Sequence, residues 1–404
     1  MNFRKEYTYN DISLFSRQVS TIQSRFTSDI DTKVEVKFGN NIKRVGFLMS
    51  APMYDVTGYD MMIKLLELGH LPIMHRFMPV SQQLKIFMDV VRYFDYNKDL
   101  IYSYSIGIND GETKLKVLSD YFNDIRVRTK DMNILICIDT ANGANELLFK
   151  PLAVIAKFKE DFPDINIEVL SGNIVTKEAS KFLYDNGVKF QRVSISTGSA
   201  CSTSVVTGIY RPPVSAIMEI FEQKEMEGLE DLYIIADGGF KETSDMIKAI
   251  AVGADFIMSG NLFAGYKESN SPLLVSKNKD GFGYKEVKEK APYDYFINEV
   301  NSRGILGLDY FNLNYYFKHY RGMASQEMAS INNAVNNIDK KILAEGVSSI
   351  IKYKENIDSD VENIVNSFKS SMSYSNSRNF NEFRAKIEIV EISNNSLIQR
   401  KPHV

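Results

Sequence analysis

The sequence predicts an α/β fold, a (β/α)8 TIM barrel, and two observations lead to it. From about Phe47 onward, short apolar or β-branched runs alternate with amphipathic helical stretches in strand-then-helix order, as in parallel sheets with crossover helices. Most predicted strands also end in a polar or glycine-rich patch, and a barrel builds its active site from the strand-to-helix loops. A doubly wound open sheet is the competing fold. Because an open sheet gathers its ligand at one switch point, patches after nearly every strand favour the barrel.

The repeating units follow one another along the chain. The predicted strands are 46–50, 71–75, 134–139, 167–171, 232–237 and 256–259. The helices predicted to follow the first five strands begin near Tyr59 and Ser81 and span 147–161, 177–186 and 244–252. The patches at the strand ends are Ser50-Ala-Pro-Met53, His75-Arg76, Asp139, Gly172-Asn173, Asp237-Gly-Gly239 and Ser259-Gly-Asn261.

The stretch 266–318 breaks this rhythm. It is rich in Lys, Asp, Asn and Tyr, and we predict an inserted loop or small subdomain. Its aromatic side chains are expected to pack inside the insertion or against a neighbouring subunit, with a cover over the site as the alternative. The part 357–404 is predicted to be a C-terminal extension with a helix and a β-like run at 386–392. We expect the chain, 1–404, to form one catalytic domain.

Composition and charge narrow the function. The chain has 404 residues, 44% of them hydrophobic, and a net charge of −3 without long single-sign runs. These values allow a large core and give no support for binding to nucleic acid or a membrane surface. No apolar stretch has membrane-spanning length, and the N-terminus does not resemble a signal peptide. We therefore expect a cytoplasmic protein that acts on small metabolites.

Cys201 is the candidate nucleophile. It follows the small-residue turn Gly198-Ser-Ala, and hydroxyl residues such as Thr203 and Thr207 surround it. A catalytic thiol needs amide donors or a cation to lower its pKa, and the turn can supply amides. The only other cysteine, Cys137, lies in an apolar run where a thiol packs as a small hydrophobic residue. The two residues are thus predicted to differ in role, and the cysteine and histidine spacing gives no zinc site.

A phosphate site is predicted at the ends of two late strands. Asp237-Gly238-Gly239 follows one strand, and Ser259-Gly260-Asn261 follows the next. Glycines let backbone amides approach phosphate oxygens, and the following helices direct their positive ends toward an anion. Tight turns also use glycine, so the two consecutive pairs together carry the prediction.

A series of short motifs resembles, in content and order, the IMP dehydrogenase and GMP reductase family. The motifs cover most of the chain except the insertion, and they are Ser24-Arg25, Ser50-Ala-Pro-Met53, His75-Arg76, Gly172-Asn173, Gly198-Ser-Ala-Cys-Ser-Thr203, Ala236-Asp-Gly-Gly239, Ala264-Gly265, Tyr320-Arg-Gly-Met323 and Glu345-Gly346. The resemblance implies a (β/α)8 barrel, a homotetramer and a cysteine that bonds to C2 of a purine nucleotide. The chain has no room for the regulatory modules that many dehydrogenases of the family carry.

The resemblance also implies roles for individual residues. The implied catalytic residues are Cys201, Thr203, Glu345 and Asp139, with Thr203 and Glu345 relaying protons. The implied substrate-binding residues are Ser50, Met53, Ser199, Asp237, Gly238, Gly239, Gly260, Asn261, Tyr320, Gly322, Met323 and Ser325. The implied cofactor-binding residues are Asp139, Arg76, Asn142 and Gly143, with Asp139 beside the nicotinamide. A potassium ion would be held by the carbonyls of Ser196, Gly198 and Cys201.

One segment favours the reductase branch of the family. Family dehydrogenases activate water with an Arg-Tyr pair on a mobile flap, and this chain has neither Arg nor Tyr between Ser325 and Glu345. The segments 136–143, 172–176 and 325–329 also resemble those of reductases. The resemblance therefore implies a GMP reductase, which uses NADPH to convert GMP, or a related guanine nucleotide, into IMP and ammonia.

Other features keep two alternatives open. Tyr320-Arg-Gly-Met323 and the terminal 400–404 resemble the dehydrogenases, which oxidise IMP to XMP with NAD. Ser196-Thr197-Gly198 stands where the family usually has Gly-Pro-Gly, a departure that bears on the loop path and on the potassium site. The second alternative is a barrel that binds a purine nucleotide without turnover. A thiol together with a proton relay argues against it.

Overall fold

A computed structural model of the protein describes residues 3–195, 197–276, 284–287, 316–336 and 344–399. Its centre is an eight-stranded sheet whose neighbouring strands all run parallel. The strands of the chain are β1 Ile12–Ser16, β2 Lys33–Phe38, β3 Asn41–Gly46, β4 Leu48–Ser50, β5 Leu71–Pro72, β6 Ile101–Ile106, β7 Asn133–Asp139, β8 Asn166–Ile174, β9 Phe190–Val193, β10 Tyr233–Asp237, β11 Phe256–Ser259, β12 Leu273–Ser276, β13 Tyr284–Val287, β14 Tyr316–Arg321, β15 Ser348–Lys352 and β16 Ile387–Glu391.

The eight central strands curl into the predicted barrel. Their hydrogen-bonded order is β5-β4-β11-β10-β9-β8-β7-β6. Met74, just after β5, brings the two ends of this order together, because its backbone N–H donates to the hydroxyl of Ser103 in β6 at 2.9 Å. The (β/α)8 fold is therefore confirmed, and the open doubly wound sheet is not the fold.

Helices follow the barrel strands and cover their outer face. The helices are α1 Tyr59–Glu67, α2 Val80–Tyr93, α3 Gly111–Asp124, α4 Arg126–Thr129, α5 Phe149–Asp161, α6 Lys177–Asp185, α7 Thr203–Thr207, α8 Pro213–Glu227, α9 Thr243–Ala251, α10 Asn261–Ala264, α11 Gln326–Asn336, α12 Ile357–Tyr374, α13 Phe380–Lys386 and α14 Asn394–Gln399. Among these described helices, none combines the length and apolar character needed to cross a membrane.

Alternation along the strands divides the core into two layers. In β7, Ile134, Ile136 and Ile138 pack against the helices, whereas Leu135 and Cys137 face the barrel interior. This is the period-two pattern of a strand that is buried on both faces. Burial raises the pKa of the Cys137 thiol to about 12, so it remains protonated and apolar at neutral pH. The prediction that Cys137 packs as a hydrophobic residue is confirmed.

A hairpin closes the amino-terminal end of the barrel. β2 and β3 pair antiparallel, and Val36 and Phe38 of this hairpin are fully buried with the interior side chains. Phe38 lies 5.7 Å from the ring of Phe190, the first residue of β9. The hydroxyl of Tyr233, which begins β10, accepts a hydrogen bond from the backbone of Lys37 at 2.7 Å. Among the described residues, the hairpin thus covers this end of the barrel, and the polar patches lie at the opposite end.

The irregular parts of the sequence build elements around the barrel. The ends of the predicted insertion form strands of an antiparallel sheet ordered β13-β12-β14-β15, and most of its aromatic residues lie outside the described residues. The predicted β-like run at 386–392 forms β16, which pairs antiparallel with β1. Phe368 of α12 packs on Phe47 with ring centroids 4.3 Å apart. The C-terminal helix α12 thus completes the helical layer beside β4.

Candidate active site

Cys201 lies in an exposed turn beyond the carboxyl end of β9. Its backbone N–H donates to the carbonyl of Gly198 at 2.9 Å, which closes the turn. Its Sγ lies 3.2 Å from Oγ1 of Thr203, the first residue of α7. The thiol is therefore accessible to a ligand and has a hydroxyl neighbour that can pass a proton.

A segment distant in sequence runs beside this turn. The carbonyl of Ala200 accepts from the backbone N–H of Val347 at 3.0 Å, and the N–H of Ser202 donates to the carbonyl of Glu345 at 2.8 Å. Together these contacts form a short antiparallel bridge at Cys201. The backbone thus brings Glu345 to the cysteine turn, and its part in a proton relay stays a prediction.

A third segment joins the same junction. The backbone N–H of Glu345 donates to the carbonyl of Ala324 at 3.0 Å, and that of Gly322 donates to Val347 at 2.9 Å. A Cβ placed on Gly322 would lie 2.2 Å from the carbonyl oxygen of Ala200, so only glycine permits this approach. The cysteine turn, Glu345 and the segment 322–325 therefore form one packed unit.

The predicted phosphate glycines form a tight loop beside the cysteine turn. Gly238 and Gly239 both have φ of +84°, a conformation that favours glycine. A Cβ on Gly239 would lie 3.0 Å from Cβ of Thr197, and one on Gly238 would lie 3.3 Å from Cα of Gly198. The absence of side chains lets the loop pack directly on the turn, so that a ligand anchored here lies near the thiol.

Gly260 belongs to the same predicted phosphate site. A Cβ on Gly260 would lie 2.4 Å from Sδ of Met53 and 3.1 Å from the hydroxyl of Tyr320. Nearby, Nδ2 of Asn261 donates to Oγ of Ser199 at 3.0 Å. Burial raises the pKa of Tyr320, so its hydroxyl stays protonated and can donate to an anion. Five predicted substrate residues thus converge on one small region.

Alternating charges connect the predicted ribose and cofactor residues. Nε of Arg192 donates to Oδ2 of Asp237 at 2.9 Å, and its Nη1 donates to Oδ1 of Asp139 at 3.2 Å. Oδ2 of Asp237 also accepts from Nδ2 of Asn173 at 2.7 Å. Nε of Arg76 donates to the other oxygen of Asp139 at 3.2 Å. One guanidinium group therefore fixes the carboxylates of both predicted subsites.

Electrostatic interactions within this network of side chains stabilise their charged forms. Burial lowers the pKa of Arg192, but Asp237 and Asp139 outweigh burial and raise it above its ordinary value. At the end of the network near Arg76, burial lowers the pKa of Lys114, and the carboxylate of Asp110 at 3.0 Å opposes that shift. The arginine therefore remains a cation between the two carboxylates.

The loop after β7 has an open surface beside Asp139. Ala141 and Asn142 are exposed, and the backbone N–H of Gly143 donates to the carbonyl of Asn173 at 3.0 Å. A Cβ on Gly143 would lie 2.8 Å from Cα of Gly172, so close packing requires the glycine. The loop is thereby held against β8, and its exposed residues closely follow Asp139, where the cofactor is predicted to bind.

A family model described as "IMP dehydrogenase / GMP reductase domain" matches residues 6–305 and 307–403. The chain belongs to this family. Membership makes the protein an oxidoreductase of purine metabolism, and the cysteine turn, glycine loops and tyrosine described above are the elements that carried the resemblance.

Several relatives in this family are named inosine-5′-monophosphate dehydrogenase. The protein from Borreliella burgdorferi is 26% identical over 439 residues, with 99% of this chain and 97% of that protein covered. The one from Cryptosporidium parvum is 27% identical, with 100% of this chain and 96% of that protein covered. The Bacillus subtilis protein is 27% identical over 76% of this chain, which spans 53% of that relative's length.

Two predicted substrate residues are engaged within the protein. Ser50 is fully buried, and its Oγ accepts from the hydroxyl of Thr57 at 2.8 Å. Oγ of Ser325 accepts from the backbone N–H of Met328 at 3.3 Å, at the start of α11. Both side chains stabilise the backbone of site loops, and direct contact with substrate stays a prediction for them.

The predicted potassium site includes Ser196, which lies outside the described residues. Next to it, Oγ1 of Thr197 donates to the carbonyl of Asp237 at 3.2 Å and contacts the hydroxyl of Ser194. A side-chain hydroxyl thus joins the turn to the glycine loop where the family usually has proline. Within the described ranges, no cluster of three or more His, Cys, Asp or Glu side chains could hold a metal ion.

The sequence interpretation missed two charged residues of the site. Arg192 links Asp237 to Asp139, and Asp55 is a fully buried carboxylate paired with Arg321. Arg192 is a lone charge inside a short strand, which could have indicated a functional position. Asp55 closely follows the motif 50–53, but its partner lies 266 residues away, so the sequence could not reveal the pair.

His75, beside the cofactor residue Arg76, is buried and uncharged. Burial and the nearby cation of Lys114 lower the pKa of His75 from 6.5 to about 3. Its Nδ1 accepts from the backbone N–H of Phe77 at 3.2 Å, and its ring packs edge-on against Tyr54 at 5.2 Å. The neutral imidazole therefore fixes the loop that carries Arg76.

This burial makes stability depend on pH. The contribution of His75 is fully present above the unfolded pKa of about 6.5. It is lost progressively as the pH falls toward about 3, because the unfolded chain binds a proton that the folded chain does not. Between pH 6.5 and pH 5, the unfolding free energy of His75→Asn should fall by about 2 kcal/mol less than that of wild type. Urea unfolding at the two pH values measures this difference, and equal losses would contradict the assignment.

Proposed function

We propose that this oxidoreductase is a GMP reductase, which converts GMP or a related guanine nucleotide and NADPH into IMP, ammonia and NADP. The observation that carries the proposal is the segment between Ser325 and Glu345, which contains no Arg and no Tyr. A dehydrogenase must hydrolyse its covalent intermediate, whereas a reductase activates no water. The structure describes the first part of this segment as the helix α11.

The cysteine turn supports the covalent step. Sγ of Cys201 attacks purine C2, the C–N bond to the 2-amino group breaks, and ammonia leaves after protonation. Thr203, 3.2 Å from the sulfur, and Glu345 supply the protons as general acids. Transfer of a hydride to C2 then breaks the C–S bond and restores the thiolate, giving IMP.

The binding residues support an orientation for the nucleotide. The glycine loop 238–239, Gly260 and the Tyr320 hydroxyl would hold the 5′-phosphate, because backbone amides and a phenol donate to anions. Asp237 is fixed by Arg192 at 2.9 Å and would accept from a ribose hydroxyl. Phosphate and ribose together direct the base toward the exposed thiol.

Residues at the ends of β5 and β7 would hold a nicotinamide cofactor. Asp139, Arg76, Asn142 and Gly143 would hold it, because the exposed loop 141–142 offers free surface beside a charged pair. When bound, the reduced cofactor supplies the hydride. Arg192 connects this region to Asp237, so the protein aligns the two ligands through one side chain.

IMP dehydrogenase is the second candidate, and the comparisons favour it. The relatives from Borreliella burgdorferi and Cryptosporidium parvum, which match almost end to end, carry this name, and Tyr320-Arg-Gly-Met323 resembles the dehydrogenases. In this case NAD would accept a hydride from the IMP adduct, and a group other than an Arg-Tyr pair would activate the water.

We also propose a cytoplasmic homotetramer of single-domain subunits without regulatory modules. The exposed apolar side chains of Val205, Ile209 and Tyr210 lie just after the cysteine turn, with 87%, 59% and 45% of their surface accessible. A neighbouring subunit that covers them would remove an apolar patch from water. A mass measurement in solution tests this assembly.

A paired assay distinguishes the two reactions. Purified protein is incubated with GMP and NADPH, and separately with IMP and NAD, while nicotinamide absorbance near 340 nm is followed. We expect loss of absorbance only with GMP, and dGMP in place of GMP tests the ribose contact. A gain of absorbance with IMP and NAD, together with no loss of absorbance with GMP and NADPH, would establish the dehydrogenase instead.

A further inference from the structure

We propose that Asp55 is a positioning residue for the nucleotide, acting through Arg321 as a clamp between two halves of the substrate site. The inference rests on the proposed purine-nucleotide chemistry at Cys201, and it concerns a residue that does not itself touch the reacting atoms. The Asp55–Arg321 clamp joins the loop after β4 to the end of β14.

Both carboxylate oxygens of Asp55 have hydrogen-bond partners on Arg321. Its side chain is fully buried. Oδ2 accepts from the backbone N–H of Arg321 at 2.9 Å and from its Nε at 2.8 Å, and Oδ1 pairs with Nη2 of the same residue. A bidentate guanidinium pair with an added backbone contact fixes both distance and orientation. Arg321 therefore has its backbone as well as its side chain held by one carboxylate.

One half of the clamp carries Met53. The backbone N–H groups of Val56 and Thr57 donate to the carbonyl of Met53 at 3.0 and 3.1 Å. The hydroxyl of Thr57 in turn donates to Oγ of Ser50 at 2.8 Å. The loop 50–57 is thus internally rigid, and the position of Asp55 sets that of Met53.

The other half carries the residues on either side of Arg321. Tyr320 precedes it, and its hydroxyl lies beside Gly260, as the sulfur of Met53 does. Gly322 follows it and packs on the carbonyl of Ala200 in the cysteine turn. A shift of Arg321 would therefore move the phosphate donor and the base-lining segment together.

Because Asp55 is fully buried, its carboxylate needs a charged partner. A fully buried carboxylate is strongly destabilised without a cation, and Arg321 is the cation that the structure places on Asp55. Hydrogen bonding to Asp55 raises the pKa of Arg321, although burial opposes it. Asn at position 55 keeps the shape but loses the charge and one acceptor, which loosens the clamp without emptying the space.

Asp55→Asn tests the clamp, with Asp255→Asn as the matched control. Asp255 is also a buried carboxylate, paired with Lys224 and Arg384 at 3.1 Å each, but it precedes β11, at the amino-terminal end of the barrel. We expect Asp55→Asn to raise the nucleotide Kd and KM at least about tenfold, because misplacement by about 1 Å has such effects. The KM for the nicotinamide cofactor should change less than about twofold. Asp255→Asn should lower Tm and leave both KM values unchanged.

The readouts separate the clamp from the reaction. Nucleotide affinity is measured by calorimetry with GMP and with IMP, so the clamp is tested even in a protein that binds without turnover. Binding without turnover in wild type would overturn the proposed reaction alone. Equal nucleotide Kd in wild type and Asp55→Asn, or an equal loss in Asp255→Asn, would overturn the clamp. Absence of any purine nucleotide binding in wild type would overturn both. If Asp55→Asn does not fold, Arg321→Lys, which keeps the charge and loses the bidentate geometry, takes its place with the same criteria.

Discussion

Replacing Cys201 by serine should abolish turnover while nucleotide binding persists. The turnover number is expected to fall by about 10⁴-fold or more, because losing an enzyme's nucleophile has effects of that order. A serine hydroxyl is far less nucleophilic than a thiolate at neutral pH. The proposed phosphate site does not include the sulfur, so the Kd for the nucleotide should change little. Steady-state kinetics and calorimetry on the same preparation measure both quantities.

Cys137→Ala is the matched control for Cys201→Ser. Cys137 is the other cysteine of the chain, and it is fully buried in the barrel interior. Its replacement leaves a small cavity and should cost about 1 kcal/mol of stability. Turnover and alkylation of Cys201 by iodoacetamide should match those of wild type. Substantial residual turnover in Cys201→Ser would rule out a covalent mechanism through this thiol.

Gly322→Ala should have the second largest effect, because it separates the three segments that meet at Cys201. The added Cβ would lie 2.2 Å from the carbonyl oxygen of Ala200 and 3.1 Å from Cα of Gly346. Both contacts are with backbone, so no side-chain rotation relieves them. We expect kcat/KM to fall by at least about 100-fold, since displacement of a reacting group by about 1 Å costs that much.

The control for Gly322→Ala is Gly228→Ala. Gly228 ends α8 with φ of +64° and has nothing within 4 Å of its Cβ position, so alanine costs about 1 kcal/mol of stability through the backbone alone. Its kcat/KM should equal that of wild type. The rate of Cys201 alkylation reports the geometry of the turn directly. An unchanged rate and unchanged kcat/KM in Gly322→Ala would show that the junction does not position the thiol.

Much of the fold could be predicted because apolar runs mark most barrel strands. β7 and β10 are almost continuously apolar, as strands buried on both faces are. β6 and β9 were missed, since they read Ile-Tyr-Ser-Tyr-Ser-Ile and Phe-Gln-Arg-Val. Their polar atoms find partners only in the folded barrel. Ser103 accepts from Met74, and Oε1 of Gln191 accepts from Ser180 at 2.6 Å. Single-sequence patterns do not contain such partners.

The candidate site, too, could be predicted from the sequence only in part. Glycine loops and the cysteine turn can be read locally, because their residue types are required by backbone geometry. The couplings between them are long-range. Arg192 connects carboxylates at the ends of two other strands, and Asp55 meets Arg321 across 266 residues. These contacts depend on the closure of the barrel, so they could be found only in three dimensions.

The β2–β3 hairpin closes the barrel at one end and leaves the other end open. Phe38 and Val36 fill the far end, so within the part of the chain that the structure describes this end offers no exit for a small product. Under the proposed chemistry, ammonia must leave through the same mouth that admits the nucleotide and the nicotinamide. The nucleotide, the nicotinamide cofactor and the released ammonia would then share one opening, so the release of ammonia would depend on what else is bound there.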